Sequence, residues 1–469
     1  MIPGGLRSFG GAIFMSDVRA DLYNACDPLT PATAEYYVDS SAVRGSNAFT
    51  KQVIGGLALS KAPLRFLFSG HIGCGKSSEL EHLRHTLEQP AATGKRFFPV
   101  LLDAGEYLND YDVAPSDILL SIVVEVAATL KEKLGIKLED SYFVKRTNEL
   151  WRFLTRDVDI DEGEIPLWDA KVKVKLLKQA PTARDKVREK LLPQMPTILT
   201  EINHVFDEAR LKLRKHTPET GAAPFTDIIL ILDNLEKIER IANRKEGEES
   251  QRHLFIECAP QLTGLNTHVI YTVPLRLVRS HGPQLMEVYG VTPFVLPMIK
   301  IEERGTHKPY MPGRNCLIEI LQKRAGSTDL HDIFTAEARD WLVTYSGGHV
   351  RELMGFARQA CTEVESLPID IKAARRALHR TIAIYITSLP STFWRKLARL
   401  DCSLDQQVDN NDPDSRKMLE MVGVMEYING GDENDPFSPA APWYAVNPIV
   451  RQLPQFKAAV SALDSEQTP

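Results

Sequence analysis

The chain has 469 residues, 43% of them apolar and 25% charged, which is too long for one ordinary domain and typical of a folded protein that buries several cores. With 56 Lys and Arg against 62 Asp and Glu the net charge is −6, which argues against a surface that coats nucleic acid but leaves room for a local basic face. The six cysteines (Cys26, Cys74, Cys258, Cys316, Cys361, Cys402) form no CxxC pair and no Cys/His cluster, so neither a disulfide framework nor a zinc site is indicated. No apolar run approaches the roughly 18 residues of a membrane-spanning helix, so no membrane contact is expected.

In chain order, the head MIPGGLRSFGGAIF lacks the basic start and long apolar run of a signal peptide, so the cytoplasm is the expected compartment; Met15 is an alternative start. Residues 1–34 read as a poorly ordered lead. From the Pro and Thr cluster DPLTPAT onward, a lead-in runs to a helix ending near Ser60 and could wrap a nucleotide base.

The stretch Leu64 to Leu80, LRFLFSGHIGCGKSSEL, reads strand, glycine-punctuated turn, helix. Within it Gly70, His71, Ile72, Gly73, Cys74, Gly75, Lys76 and Ser77 satisfy GxxxxGK[ST], the Walker A pattern, in the context that the pattern requires. The glycines let successive N–H groups turn inward toward phosphate oxygens, and the helix that follows, with Ser78 in its first turn, aims its positive end at the same place. Lys76 is expected to reach the β- and γ-phosphates, and Ser77 to ligate Mg²⁺. Cys74 could be activated by the helix terminus, against the plainer reading of a small side chain that fits the turn.

Phe97 to Asp103 (FFPVLLD) is apolar on both faces, as in a second, buried parallel strand. A helical insertion is expected over about 110–220. It carries an apolar series Ile118, Ile122, Val126, Leu130, then a short helix near 182–192 and a longer one over about 196–215, separated at Pro193 and Pro196. Between them, Ala170, Val172, Val174 and Leu176 alternate with Lys171, Lys173 and Lys175 as a strand with one basic face, read as an edge protected from aggregation rather than a nucleic-acid contact.

Asp227 to Asp233 (DIILILD) is a Walker B pattern: a buried strand that delivers Asp233 to the sheet edge, where it can hold the waters of Mg²⁺ opposite Ser77. Thr267 to Val273 and Thr292 to Pro297 complete five strands, and Thr272, near the end of the first, is placed to sense a γ-phosphate. Helices follow to about 365, with the turn SGGHVREL putting Arg351 in the first turn of a helix. From about 390, helical faces at Phe393, Leu397, Leu400 and at 418–422 precede two strands, Val424–Tyr427 and Tyr444–Asn447, joined by an acidic loop: the layout of a winged helix, with residues 459–469 read as a disordered tail.

In the order of these motifs, GHIGCGKS, IILILDNLE, Thr272 and SGGHVREL, the chain resembles P-loop ATPases of the AAA+ and STAND groups, the latter including NACHT proteins and the former the origin-recognition ATPases. The resemblance covers about 35–455 by order of parts, the two Walker motifs being its specific portion. It implies an α/β fold: a five-stranded parallel sheet of order 5-1-4-3-2 with a helical insertion (core 35–305), a helical lid (306–385) and a winged helix (386–458). It also implies ATP and Mg²⁺ as ligands, with Arg351 as the lid arginine that touches the γ-phosphate. Asn234, not Glu, follows Asp233. The acid stands three on, at Glu236, a spacing similar to the NACHT pattern, so Glu236 is assigned to water activation with Asn234 as alternative, and turnover is expected to be slow. Arg276 and Arg279 are candidates for an arginine finger, against ordinary surface pairing.

The function implied is an ATP-hydrolysing switch that assembles with itself or a protein partner, in signalling or bacterial defence. The alternative is a DNA-binding loader or regulator, disfavoured because 393–457 holds ten acids against seven bases. A scaffold that binds nucleotide without hydrolysis is a third.

Overall fold

The computed structural model describes residues 18–45, 48–89, 94–109, 113–138, 178, 181–216, 222–238, 248–430 and 440–467. Five strands, β1 (Arg65–Gly70), β2 (Phe97–Asp103), β3 (Asp227–Asp233), β4 (His268–Thr272) and β5 (Phe294–Leu296), form one sheet in the order β2-β3-β4-β1-β5. All pairs are parallel, as expected from strands apolar on both faces. Along β3 the pleat sends Ile228, Leu230 and Leu232 to one face and Ile229 and Ile231 to the other. The first face is covered by the helices Pro115–Leu134 and Met195–Lys215, the second by Phe49–Leu59 and Lys76–Glu88. Each fully buried Ile or Leu contributes about 1.5–3 kcal/mol, which makes β3 the best-anchored strand and a rigid mount for the acid at its end.

In the insertion, the shorter helix spans Pro181–Leu191 and the longer Met195–Lys215, with a tighter turn at Leu192–Gln194 where Pro193 withholds its N–H. The alternating basic segment from Ala170 to Leu176 lies outside the described residues.

Helices Met311–Ala325, Ala336–Ser346, Val350–Thr362 and Ile371–Ala377 form a helical lid. Against the expectation of a poorly ordered lead up to residue 34, Val18–Ala25 is a helix packed on this lid. Val18, Leu22, Tyr23 and Cys26 recur at helical spacing, and Leu22 and Cys26 are fully buried. The tail is corrected in the same way: Pro454–Gln467 is a helix, held by Phe456, Val460 and Leu463 against the helix Phe393–Cys402.

The C-terminal part carries Phe393–Cys402, Pro413–Glu420 and the antiparallel ribbon β6 (Val424–Asn429) and β7 (Ala441–Val446). The ribbon is not an exposed wing. Met425, Tyr427, Trp443 and Ala445 pack into the same apolar cluster as Phe68, Cys74 and Leu296 of the sheet, and Met298 N–H donates to Glu426 O at 3.0 Å. Among the described residues no helix is long and apolar enough to cross a membrane.

Candidate functional site

Gly70, Gly73 and Gly75 all have positive φ, the conformations that let the loop curl between β1 and the helix Lys76–Glu88. Above the loop lies a cavity of about 450 Å³, within the ordinary size of a small-ligand site. Ile72, Gly73, Gly75, Lys76, Ser77 and Ser78 form its floor, with Asp103, Asp233, Asn234 and Glu236 on one side, residues 27–33 on another, and Val350, Arg351 and Met354 of the lid above.

Lys76 is buried, its ammonium donating to Gly70 O at 3.1 Å and His71 O at 3.0 Å and pairing with Glu236 Oε1 at 3.0 Å. Burial pulls the Lys76 pKa down, but Glu236 and the other nearby negative groups outweigh it and hold the ammonium charged. Burial likewise pushes Glu236 up, and Lys76 together with hydrogen bonds from Thr272 and the backbone more than offsets this, keeping a carboxylate. Its other oxygen, Oε2, is buried and has no hydrogen-bond partner among the described residues. An ionised oxygen on a cavity wall with nothing to accept is suited to hold a water.

Asp233 sits at the end of β3 and accepts from Ser77 and from Asn234 N–H. Burial and the Glu236 charge push its carboxyl up to about 6. This pair of oxygen donors, the half-buried Ser77 hydroxyl and the buried Asp233 carboxylate, suits a hard divalent cation such as Mg²⁺, which would relieve the crowding of Asp233 and Glu236. Among the described residues there is no group of three or more His, Cys, Asp or Glu that could cage a metal by itself, so a Mg²⁺ ion held here would draw its remaining ligands from water and phosphate oxygens.

Asn234 stands in the left-handed region at φ 64° and its side chain donates to Asp103 Oδ1 at 2.8 Å. Asp103, the last residue of FFPVLLD, is a cavity residue that sequence reading passed over, although its strand ends in an acid as the Walker B strand does. Thr272 is placed behind the cavity wall instead of on it. Its hydroxyl donates to Leu232 O at 3.1 Å, accepts from Leu235 N–H at 3.0 Å and lies against the Glu236 carboxylate, so it braces the turn that carries Glu236. Two loop side chains also turn away from the cavity, leaving only their backbone to a ligand: Cys74, fully buried in the sheet cluster, and His71.

His71 joins the loop to the C-terminal part. Its Nε2 accepts from Glu426 N–H of β6, which leaves Nδ1 to donate to Leu419 O, both at 3.2 Å. Burial holds it neutral, its pKa pulled down to about 3. The lid is fastened to the same loop. Arg351 N–H donates to Gly73 O at 3.1 Å, and His349 Nε2 donates to Ile72 O at 2.8 Å while its Nδ1 caps the helix by accepting from Glu352 N–H at 3.0 Å. A Cβ on Gly73 would lie 2.6 Å from His349 and 2.8 Å from Arg351, so only glycine permits this approach. The Arg351 guanidinium donates to Pro28 O at 3.2 Å and lines the cavity.

Arg44, which sequence reading missed for want of any local motif, is buried behind the loop and donates to Cys74 O at 2.8 Å and to Pro297 O. Arg276 and Arg279, the finger candidates, are engaged within the chain: Arg279 with the fully buried Glu426 (Nε to Oε2, 3.0 Å) and Arg276 with Glu420 at 3.1 Å.

Strand order, phosphate loop and the acid at the end of β3 together decide the fold. It is a P-loop nucleotide-binding fold with helical lid. No family model matches the chain, and no curated protein matches it. Among solved structures it is similar to a Walker-type ATPase of Pyrococcus abyssi (13% identity, 92% of this chain, 98% of that one, TM-score 0.45). It is also similar to the Aeropyrum pernix ORC1 protein in complex with DNA (12%, 92% and 96%, TM-score 0.38) and to Drosophila ORC bound to DNA (11%, 85% and 77%, TM-score 0.36).

Proposed function

We propose that the protein is an ATP-binding and slowly hydrolysing switch of the AAA+/STAND type, whose nucleotide state sets how the lid and a C-terminal winged-helix module are held. The observation that carries this reading is that one loop, Gly70 to Ser77, is hydrogen-bonded at once to the lid through Gly73 and Ile72 and to the C-terminal ribbon through His71. Anything that reshapes the loop must strain or release both.

In this reading Lys76 leaves Glu236 for phosphate oxygens, and Ser77 and Asp233 hold Mg²⁺, which would supply neutralisation of the charge that develops on the phosphates. Glu236, freed from Lys76, orients water and accepts its proton through the unpartnered oxygen; Asn234, tethered to Asp103, is the weaker candidate. Arg351 is the lid group toward the γ-phosphate. Residues 27–33 would border the base.

The DNA-binding alternative is disfavoured by two observations. The ribbon is buried against the ATPase core, and three of the module's bases are neutralised inside the chain: Arg395 by Glu466, Lys396 by Asp412 and Asp414, and Arg451 by Glu302 and Asp401. A protein partner or a second copy is therefore the proposed recipient of the released module.

The test is size-exclusion chromatography of the purified protein without nucleotide, with ATP, and with ATP and duplex DNA, alongside protease protection of residues 390–467. An ATP-dependent change in size or protection, indifferent to DNA, is expected. No response to ATP would overturn the switch, and nanomolar, sequence-selective DNA binding at physiological salt would replace it with the alternative.

A further inference from the structure

Outside the residues that line the cavity, a second group of side chains is arranged for chemistry that the nucleotide site does not use. His253–Glu257 is a turn of π-helix between the short helices Glu248–Arg252 and Ala259–Thr263, closed by Cys258 N–H donating to His253 O at 2.8 Å. The wider turn puts residue 258 beneath residue 253. Cys258 Sγ lies 3.4 Å from His253 Nε2, and His253 Nδ1 lies 2.6 Å from Glu257 Oε2. The other Glu257 oxygen accepts from Arg252 at 2.7 Å. A carboxylate can only accept, so Nδ1 carries the hydrogen and Nε2 presents its lone pair to the thiol. Thiol, base and orienting acid thus stand in the order that activates a nucleophile, and the acid is itself fixed by an arginine.

Two further observations support a reactive thiol. Cys258 is partly exposed, whereas Cys26, Cys74, Cys316 and Cys361 are buried. The hydroxyl of Tyr289, on the helix Leu275–Tyr289 that packs against this turn, is buried without a hydrogen-bond partner among the described residues, and burial first, then Tyr271 and Cys258, pushes its pKa well up. A phenol kept protonated by burial retains a hydrogen to donate.

We propose that Cys258 is a nucleophilic modification site for small soft electrophiles of the hydroperoxide class, with His253 as its base and Glu257 as positioning residue. In the step, Nε2 takes the thiol proton and the thiolate sulfur attacks one peroxide oxygen. The S–O bond forms as the O–O bond breaks, and sulfur is oxidised by two electrons. The departing hydroxide or alkoxide takes the proton back from the imidazolium, so that thiol and hydroperoxide become sulfenic acid and water or alcohol. The exposed Cys402 is an internal reference, its thiol pushed up by partial burial and by Asp401 and Asp464.

The experiment treats the full chain at pH 7 with hydrogen peroxide, traps sulfenic acid with dimedone and reads the adducts by peptide mass spectrometry against time. Cys258 should be trapped about fivefold faster than Cys402, a gain in thiolate partly offset by lower intrinsic nucleophilicity. His253→Gln should bring its rate down to that of Cys402, and Cys258→Ser should remove the adduct. A Cys258 rate no greater than that of Cys402, or undiminished in His253→Gln, overturns the proposal. If His253→Gln disturbs the fold, seen as a changed Cys402 rate, Glu257→Gln decides: a slowing of a few-fold is expected, and an unchanged rate overturns the assignment.

Discussion

Glu236→Gln keeps the shape of the side chain and removes its charge, and the two consequences have opposite signs. Without nucleotide that charge faces Lys76 at 3.0 Å, with side chains only 5% and 6% exposed. Removing one partner of a buried pair costs about 3–5 kcal/mol in general. Lys76 keeps the carbonyls of Gly70 and His71 as acceptors and gains an amide oxygen, so the loss expected here is smaller, about 1–3 kcal/mol. Phosphate oxygens restore a negative partner to Lys76 and no longer compete with Glu236. ATP with Mg²⁺ should therefore stabilise the variant more than the wild type, and bind it about 5–30-fold tighter, for about 1–2 kcal/mol of relief. Hydrolysis should fall by roughly 10² or more, because the amide cannot accept the proton of water. Asn234→Ala should cost less, since an amide positions water without taking its proton. Thermal melts with and without ATP and Mg²⁺, paired with single-turnover hydrolysis, measure all of this. A variant that melts like wild type in the absence of nucleotide would refute the energetic argument, and hydrolysis at the wild-type rate would remove the base from Glu236.

Lys76→Ala should abolish nucleotide binding or hydrolysis, as measured by equilibrium binding; wild-type affinity would sink the site. Ser77→Ala and Asp233→Ala should weaken Mg²⁺ dependence together, and unchanged Mg²⁺ titrations in both would count against their shared ion. Gly73→Ala, strained at φ 86° and meeting His349 and Arg351, should lift the lid, seen as faster hydrogen exchange over residues 347–353; unaltered exchange there would mean that the lid does not rest on the loop. Burial pushes the carboxyl of Glu352 up to about 7, against the hydrogen bonds from Tyr385 and Asn447. A raised acid favours folding fully below its unfolded value near 4.5, and that contribution is lost as pH rises to about 7. Glu352→Gln should thus match wild type at about pH 4 and exceed it at about pH 8 by about 2–5 kcal/mol; an equal melting difference at both pH values would contradict this.

Strand positions, the two Walker motifs and the glycine turn before Arg351 were legible in the sequence because each is a local pattern: a double-faced apolar run, a loop that needs positive φ, a helix start. What could not be read locally is what faces what. Thr272 occupies the expected strand end, yet its hydroxyl is taken by backbone groups of the neighbouring β3 turn. Arg276 and Arg279 look free in sequence and are paired with acids 144 and 147 residues away. The two β-strands near the C-terminus were legible as a ribbon, but their burial on the sheet depends on Met425, Tyr427 and Trp443 meeting Phe68 and Leu296, a tertiary match that no periodicity records. The helices Val18–Ala25 and Pro454–Gln467 were missed for the same reason, their apolar stripes being short and their stability coming from what they pack on.

The segment 27–33 that walls the cavity is fastened at several points. Ala32 N–H donates to Ser78 Oγ at 2.8 Å on the phosphate-loop helix, while Pro28 O accepts from Arg351 and Asp27 pairs with Arg358 at 2.9 Å, both on the lid. The strap therefore bridges the two bodies that a bound molecule would sit between, and neither can swing away without dragging it. Exchange of whatever occupies the cavity should then be timed by the rupture of these fastenings, and residence can be long even where affinity is ordinary. A clock of that kind is set in part by Ala32, Asp27 and Arg358, which stand outside the phosphate loop.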